Sequence, residues 1–267
     1  MKILTLAVST AKSFLHNRMI LVFLTVAVCI ILLMMAPLLA YRQHLTPENQ
    51  KTMESMLLEI LSTVMGFVSG LGSLIAAWSA ADALSSELKS GTVLAVMARP
   101  VNRWEFLLGK YLGVMLFMSV YVIMMIGLSY LLAAIGGQRI HIALWILILY
   151  PLVRYSIYAA LAMFFTTFVH PLMSMGAVLI VSILTEMVGP HASDWTPKLH
   201  GLKIFLFYLL PSTNLLTESR FFSLRQASIK QGSLLEHALS LGYGLDYAIV
   251  LFLLAVWSFH YRSLRQE

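Results

Sequence analysis

The chain has 267 residues, 60% of them hydrophobic and 11% charged, with a formal net charge of +6 and a mean hydropathy of +0.85. Soluble domains run about 45–50% apolar and about 25% charged, so a water-soluble fold of this length is excluded. Disorder is excluded as well, because disordered chains are poor in apolar residues.

What remains is an all-α polytopic membrane protein, whose backbone polar groups are paired within helices and whose surface matches lipid. At about 20 apolar residues per span, and with loops added, the length allows about six transmembrane helices in a single membrane domain over 1–267. The positive balance reads as membrane orientation, since no basic stripe with interleaved aromatics suggests nucleic acid. The one cysteine, Cys29, lies inside an apolar run, which excludes an intramolecular disulfide and fits a small helix- or lipid-facing residue.

In chain order, residues 1–18 open with MKILTLAVSTAKSFLHN. Ile3, Leu4, Leu6, Ala7, Phe14 and Leu15 can share one helical face, with Lys2, Lys12 and His16 at its edges. That pattern suits an amphipathic helix on the cytoplasmic interface, or a simple helical lead-in. The run Met19 to Tyr41 exceeds the 7–15 residues typical of a signal core and ends in no small-x-small site. It is expected to be an uncleaved first span, 19–41.

A polar segment, Arg42 to Glu54, leads to the second span at 57–83. There Gly66, Gly70, Ser73, Ala77 and Ala81 recur every three or four residues. Small residues at that spacing let helices approach closely, either across a dimer or within one subunit. Residues 84–104 break the hydrophobicity with Glu87, Lys89, Arg99 and Arg103, punctuated by Gly91 and Pro100.

The third span, 106–135, begins with a second small pair, Gly109 and Gly113, and ends at Gly136-Gly137. The fourth, 142–169, should kink at Pro151, whose missing N–H cannot serve the helix ladder. His170-Pro171 turns the chain into the fifth, 172–188, which stops at Gly189-Pro190. Residues 191–244 depart furthest from span character. Ile204 to Leu210 is apolar but too short to cross, which suits a re-entrant or interfacial piece of an external region. The polar stretch with Arg220, Arg225, Lys230 and Glu236 precedes a sixth span at 245–261, followed by Arg262 and Arg265.

With the N-terminus inside, cytoplasmic segments hold Lys2, Lys12, Arg18, Lys89, Arg99, Arg103, Lys110, Arg262 and Arg265. The short external loops hold only Arg42, Lys51 and Arg139. This asymmetry orients both termini to the cytoplasm.

No catalytic pattern survives inspection. Gly109-Lys110 is followed by Tyr111 and has Trp104 at the first-glycine place, so the phosphate-loop pattern fails twice. No H-E-x-x-H occurs and the eight histidines are scattered, so no metal site is expected. Asp82 and Asp246 sit near span ends, and Leu245 stands where an intramembrane aspartyl dyad needs glycine. The 16 methionines are spread among apolar runs, as packing fillers are.

Two ionisable groups can lie at membrane depth. Arg154 follows Pro151 within one turn. It either lines a translocation path, is satisfied by carbonyls freed at Pro151, or snorkels to the inner interface. Glu186 lies near the outer boundary and is expected to be interfacial.

The segment 87–113, ELKSGTVLAVMARPVNRWEFLLGKYLG, carries a resemblance. An acidic residue, Gly-Thr, a short apolar stretch, a Pro followed by Arg, and a Gly-Lys entering span three are represented here by Glu87, Gly91-Thr92, Leu94 to Met97, Arg99-Pro100, Arg103 and Gly109-Lys110. In this the chain resembles the permease subunits of ATP-binding-cassette (ABC) transporters of the type-2 exporter class. The family often has two adjacent acidic residues before Gly-Thr; here Ser86-Glu87-Leu88-Lys89 leaves one.

The resemblance implies a cytoplasmic coupling helix that docks on a separate ABC ATPase, with Glu87, Gly91, Thr92, Val93, Leu94, Met97, Arg99, Pro100 and Arg103 as coupling residues. Local chemistry is compatible with it: Gly91 permits a sharp turn, and Arg99-Pro100 ends a short helix over Val93 to Ala98. An ordinary positive-inside loop would also accommodate those charges. The resemblance further implies a second permease copy or a similar chain in a dimer, export across the bacterial inner membrane, and ATP and Mg bound by the partner ATPase with no cofactor in this chain. A membrane anchor that recruits an ATPase to act on a periplasmic partner would use the same loop.

Overall fold

The computed structural model describes residues 2–41, 50–90, 102–135, 144–188, 210–211, 213–216 and 234–261. Among them every regular element is helical. There are seven α-helices: α1 (Lys2–Phe14), α2 (Arg18–Tyr41), α3 (Gln50–Ser90), α4 (Arg103–Ile135), α5 (Leu144–Thr166), α6 (Pro171–Val188) and α7 (Leu234–Tyr261). A short 3₁₀ turn spans Thr213–Leu216.

Four of these helices contain stretches long and apolar enough to cross a membrane: Thr63–Ser86, Arg103–Leu132, Leu147–Thr166 and Leu235–Tyr261. The pair Ile3–Phe14 and Arg18–Met34 would make a fifth if taken as one broken span. It is bent by 68°, and Pro171–Thr185 is a shorter apolar helix.

Helix α5 is the hub, packing on α3, α4, α6, α7 and the 3₁₀ turn. Its apolar positions run all round the helix, the pattern of a helix with no free face. Tyr155, Ile157, Tyr158, Ala159, Ala160, Ala162 and Met163 are all buried. Helix α7 is the opposite case. Ala248, Leu251, Ala255 and Phe259 point inward at spacings of three and four, while Leu245, Ile249, Leu253 and Trp257 point out. The buried share of the spanning stretch is 78% for α5 and 22% for α7, which makes α5 the core and α7 the lipid-facing wall.

The helix starts follow local chemistry. Asn102 caps α4: its carbonyl accepts from Phe106 N at 3.1 Å, and Glu105 Oε2 reaches back to accept from Asn102 N at 3.0 Å. That is the return half of a capping box. Asn17 caps α2 through Oδ1, which accepts from Met19 N at 3.1 Å. His170 precedes α6 and its carbonyl accepts from Ser174 N at 2.9 Å. Pro171 then takes the first helical position, where its missing N–H costs nothing.

Helix α1 folds back from α2 and lies along α4. Its Ala7, Thr10, Ala11 and Phe14 are buried at helical spacing, while Leu4 and Leu15 are exposed. The apolar face of α1 therefore divides between the protein and its surroundings.

Two boundaries differ from expectation. Helix α3 runs from Gln50 to Ser90, about 60 Å at 1.5 Å per residue, so it outlasts a hydrocarbon core of about 30 Å. Helix α7 starts at Leu234, inside the segment expected to be external, rather than at 245. Gly242 and Gly244 lie within the helix, where a glycine costs only about 1 kcal/mol. Gly244 is buried where Val153 and Leu216 come close.

Most of the residues expected in loops are not among these elements. Residues 42–49, Gly136-Gly137, Gly189-Pro190, Ile204 to Leu209, Arg220, Arg225, Lys230, Arg262 and Arg265 lie outside the described residues.

Candidate functional site

Between α3, α5 and α6 lies a cavity of about 480 Å³. Its polar lining is Thr63, Ser73, Arg154, Tyr158 and Ser182, and its apolar lining includes Phe67, Leu71, Leu74, Val178 and Leu179. Arg154 is 6% exposed. Its Nη1 donates to Ser69 Oγ at 3.3 Å, and its guanidinium carbon sits 5.8 Å from the centre of the Tyr158 ring. Ser73 Oγ turns back to donate to the Ser69 carbonyl at 2.9 Å.

Tyr158 extends the polar belt across the cavity. Its Oη lies 3.2 Å from Ser182 Oγ on α6 and donates to Thr213 Oγ1 at 3.4 Å. Thr213 belongs to the 3₁₀ turn, which is itself buried at Thr213 and Leu216. Arg154 stands about 15 Å from the start of α5 and about 18 Å from its end, at 1.5 Å per residue. A guanidinium at that depth faces a protein interior or a cavity, and here it does so beside Pro151.

The two small-residue pairs do different work. Gly66 and Gly70 line the cavity, and a Cβ at either would meet nothing within 4 Å. Ser73 and Ala77 are buried in the α3 interior. Gly109 and Gly113 instead receive α1. A Cβ at Gly109 would lie 2.6 Å from Leu6 Cδ2, and one at Gly113 would lie 2.7 Å from Thr10 Cβ and 2.8 Å from the Ala7 carbonyl. Gly72, absent from the expected stripe, is the site of closest approach on α3, against the Tyr155 hydroxyl and ring. Tyr121 backs it, donating from Oη to the Val68 carbonyl at 2.9 Å and meeting Tyr155 edge-on at 6.3 Å. Only the small-every-four spacing of Gly72, Ala76 and Ala80 could have flagged that face, and the overlapping Gly66–Gly70 pair obscured it.

Of the residues expected to couple to an ATPase, Gly91, Thr92, Val93, Leu94, Met97, Arg99 and Pro100 lie outside the described residues. Glu87 falls within the last turn of α3, and Arg103 opens α4. Arg103 Nη1 donates to the His260 carbonyl at 2.8 Å, which ties the start of α4 to the end of α7. Phe106 and Phe259 stack just behind that bond, 6.3 Å apart. The same end of the bundle carries two further ties. Asn17 Nδ2 donates to Asp82 Oδ2 at 2.8 Å, and Thr167 Oγ1 and Ser258 Oγ lie 2.6 Å apart. The loop that joins α3 to α4 thus leaves from and returns to a braced end.

At the opposite end, buried Tyr150 and His237 meet through Oη and Nδ1 at 2.7 Å. Asp82 and Asp246 do not form a pair: Asp82 holds Asn17, and Asp246 is on the exposed side of α7. Among the described residues no cluster of three or more His, Cys, Asp or Glu could hold a metal.

The comparison with curated proteins finds no match. The family model described as ABC-2 family transporter protein matches residues 5–264. A bundle of long apolar helices agrees with that match, and this family provides the transmembrane component of a transporter that associates with an ABC ATPase, not the ATPase itself. The chain belongs to the ABC-2 family of transporter permeases.

Proposed function

We propose that this chain is the permease subunit of an ABC exporter in a bacterial inner membrane, with α2 to α7 as six spans of one domain and both termini cytoplasmic. Two copies, or this chain and a similar one, pair with two separate ATPase subunits that bind ATP and Mg. The segment Glu87 to Arg103 is the handle by which nucleotide-driven closure of the ATPases moves α3 and α4. Gly91, Thr92, Val93, Leu94, Met97, Arg99 and Pro100 form its docking surface. Arg103 carries the movement to α7 through the His260 carbonyl, and Glu87 keeps the end of α3 solvated.

The observation that carries the transport reading is the cavity walled by Arg154 midway along α5. A membrane anchor that merely recruited an ATPase would have no use for a buried cation beside an open cavity at that depth, which is costly to maintain in hydrocarbon. The test is co-expression with a candidate ABC ATPase subunit that co-purifies with this chain, followed by replacement of Glu87 and Arg103 with alanine. The coupling reading requires loss of assembly or of permease-stimulated ATP hydrolysis; survival of both unchanged contradicts it.

A further inference from the structure

We propose that a single water molecule binds inside the bundle at the kink of α5, between α3, α4 and α5, donating to the Leu147 carbonyl that Pro151 leaves without its helical partner. The site is independent of what the protein moves or recruits.

Pro151 stands in the interior of α5. It has no N–H, so the carbonyl of Leu147, one turn earlier, loses its donor in the helix ladder. Leu147 is 1% exposed, so bulk solvent does not serve that carbonyl. A buried backbone acceptor without a donor costs about as much as a lost hydrogen bond. Ordered water is one of the means by which helix breaks inside membranes are satisfied.

Leu147 and Pro151 both border a cavity of about 20 Å³. A water needs at least about 10–15 Å³ on this measure, and about two to four polar partners. The space therefore fits one molecule and not a chain of them. Ser69, Tyr121 and Tyr155 border the same space. Ser69 Oγ accepts from Arg154 Nη1 at 3.3 Å, and Tyr121 Oη donates to the Val68 carbonyl at 2.9 Å. A hydroxyl carries one donor and two acceptor sites, so a hydroxyl in one such bond can still meet a water.

The rest of the wall is Met65, Val68, Val122, Met125 and Ile126, none more than 6% exposed. These side chains close the space from lipid. Cavities that stay dry are apolar throughout; this one has a proline-freed carbonyl and a serine against it. The water joins α5 to α3 beside Arg154, which makes the kink of the central helix a hydrated joint rather than a packed one.

The test is X-ray hydroxyl-radical footprinting of the purified full chain in nanodiscs, read by mass spectrometry. Radicals formed from a bound water oxidise the side chains that touch it. Met65 and Met125 line the cavity, while Met118 and Met163, both 0% exposed, do not line it and serve as controls. The expected result is oxidation of Met65 and Met125 several-fold faster than of Met118 and Met163.

Two variants remove the site in different ways. Pro151→Ala returns an N–H to the Leu147 carbonyl, and Val122→Ile fills the space with one more methylene. Each should bring Met65 and Met125 down to the control rate, and Val122→Ile decides the matter if Pro151→Ala does not fold. Wild-type rates at Met65 and Met125 no higher than at the controls would overturn the assignment. Persistence of the excess in either folded variant would overturn it as well, since the water would then be held elsewhere.

Discussion

Arg103 and His260 are 157 residues apart in sequence, and the side chain of one is bonded to the main chain of the other. A carbonyl in the last turn of a helix has no intrahelical donor and carries the negative end of the helix dipole. A guanidinium is the natural cation for it. The bond therefore joins the residue that opens α4 to the end of α7, beside the connection expected to meet the ATPase.

Removing that bond should uncouple more than it destabilises. The contact is exposed, so Arg103→Gln is expected to lower thermal stability in detergent by no more than about 1 kcal/mol. Permease-stimulated ATP hydrolysis should fall roughly fivefold or more, since about 1 kcal/mol of coupling corresponds to that factor. Arg103→Lys should restore most of it, because an ammonium also serves a lone carbonyl. Parallel melting and ATPase measurements check the separation.

Glycines on α3 and α4 should respond oppositely to the same change. Gly113→Ala drives a methyl into Thr10 and the Ala7 carbonyl. Overpacking of this kind costs about 1–3 kcal/mol, and it should loosen α1 from α4. Gly66→Ala meets open space and should be neutral or slightly stabilising through the better helix propensity of alanine. Thermal unfolding of both variants, with proteolytic release of α1 as a second readout, tests the contrast.

Asn17 serves two partners at once. Its Oδ1 caps α2 and its Nδ2 holds Asp82 on α3. Asn17→Ala should cost about 1–2 kcal/mol, the upper part of the cap range, because it also removes a hydrogen bond to the Asp82 carboxylate. Asp82→Ala should cost less, since the cap survives. A double-mutant cycle should give a non-zero coupling between the two, and additive effects would show that the hook carries no energy.

The buried tyrosine behind Gly72 is expected to matter modestly. Tyr121→Phe keeps the ring contact with Tyr155 and removes the bond to the Val68 carbonyl. Hydrogen bonds between membrane helices average about 0.6 kcal/mol, and the unfolding free energy in mixed micelles should fall by about that amount.

The helical class and the helix positions were legible because hydrophobic runs and caps are local signals. Pro171 at a helix start, Asn102 before α4 and the all-round apolar α5 could be read directly. The distribution of small residues could not. Gly66, Gly70, Gly109 and Gly113 share one spacing, yet two border a cavity and two receive α1, because the partner helix is not written in the spacing. Helix α7 begins at Leu234, before the span expected from 245, and the approach of Val153 and Leu216 to Gly244 is a product of tertiary packing. Arg154 was legible as a charge at depth beside Pro151, but its partner Ser69, 85 residues away, is a product of tertiary packing alone. Arg103 stands out in the loop pattern as a residue expected to couple, while its bond to His260 required the fold.

The measurement closest to the central claim is site-directed cross-linking of the α3–α4 connection to the partner ATPase. In a Cys29→Ser background, single cysteines placed in turn from Gly91 to Pro100 should include several that form a one-to-one adduct with the co-purified ATPase, and ATP should change the yield. If the complex co-purifies and no position in that segment cross-links, the coupling surface lies elsewhere and the account given for Glu87 to Arg103 is wrong.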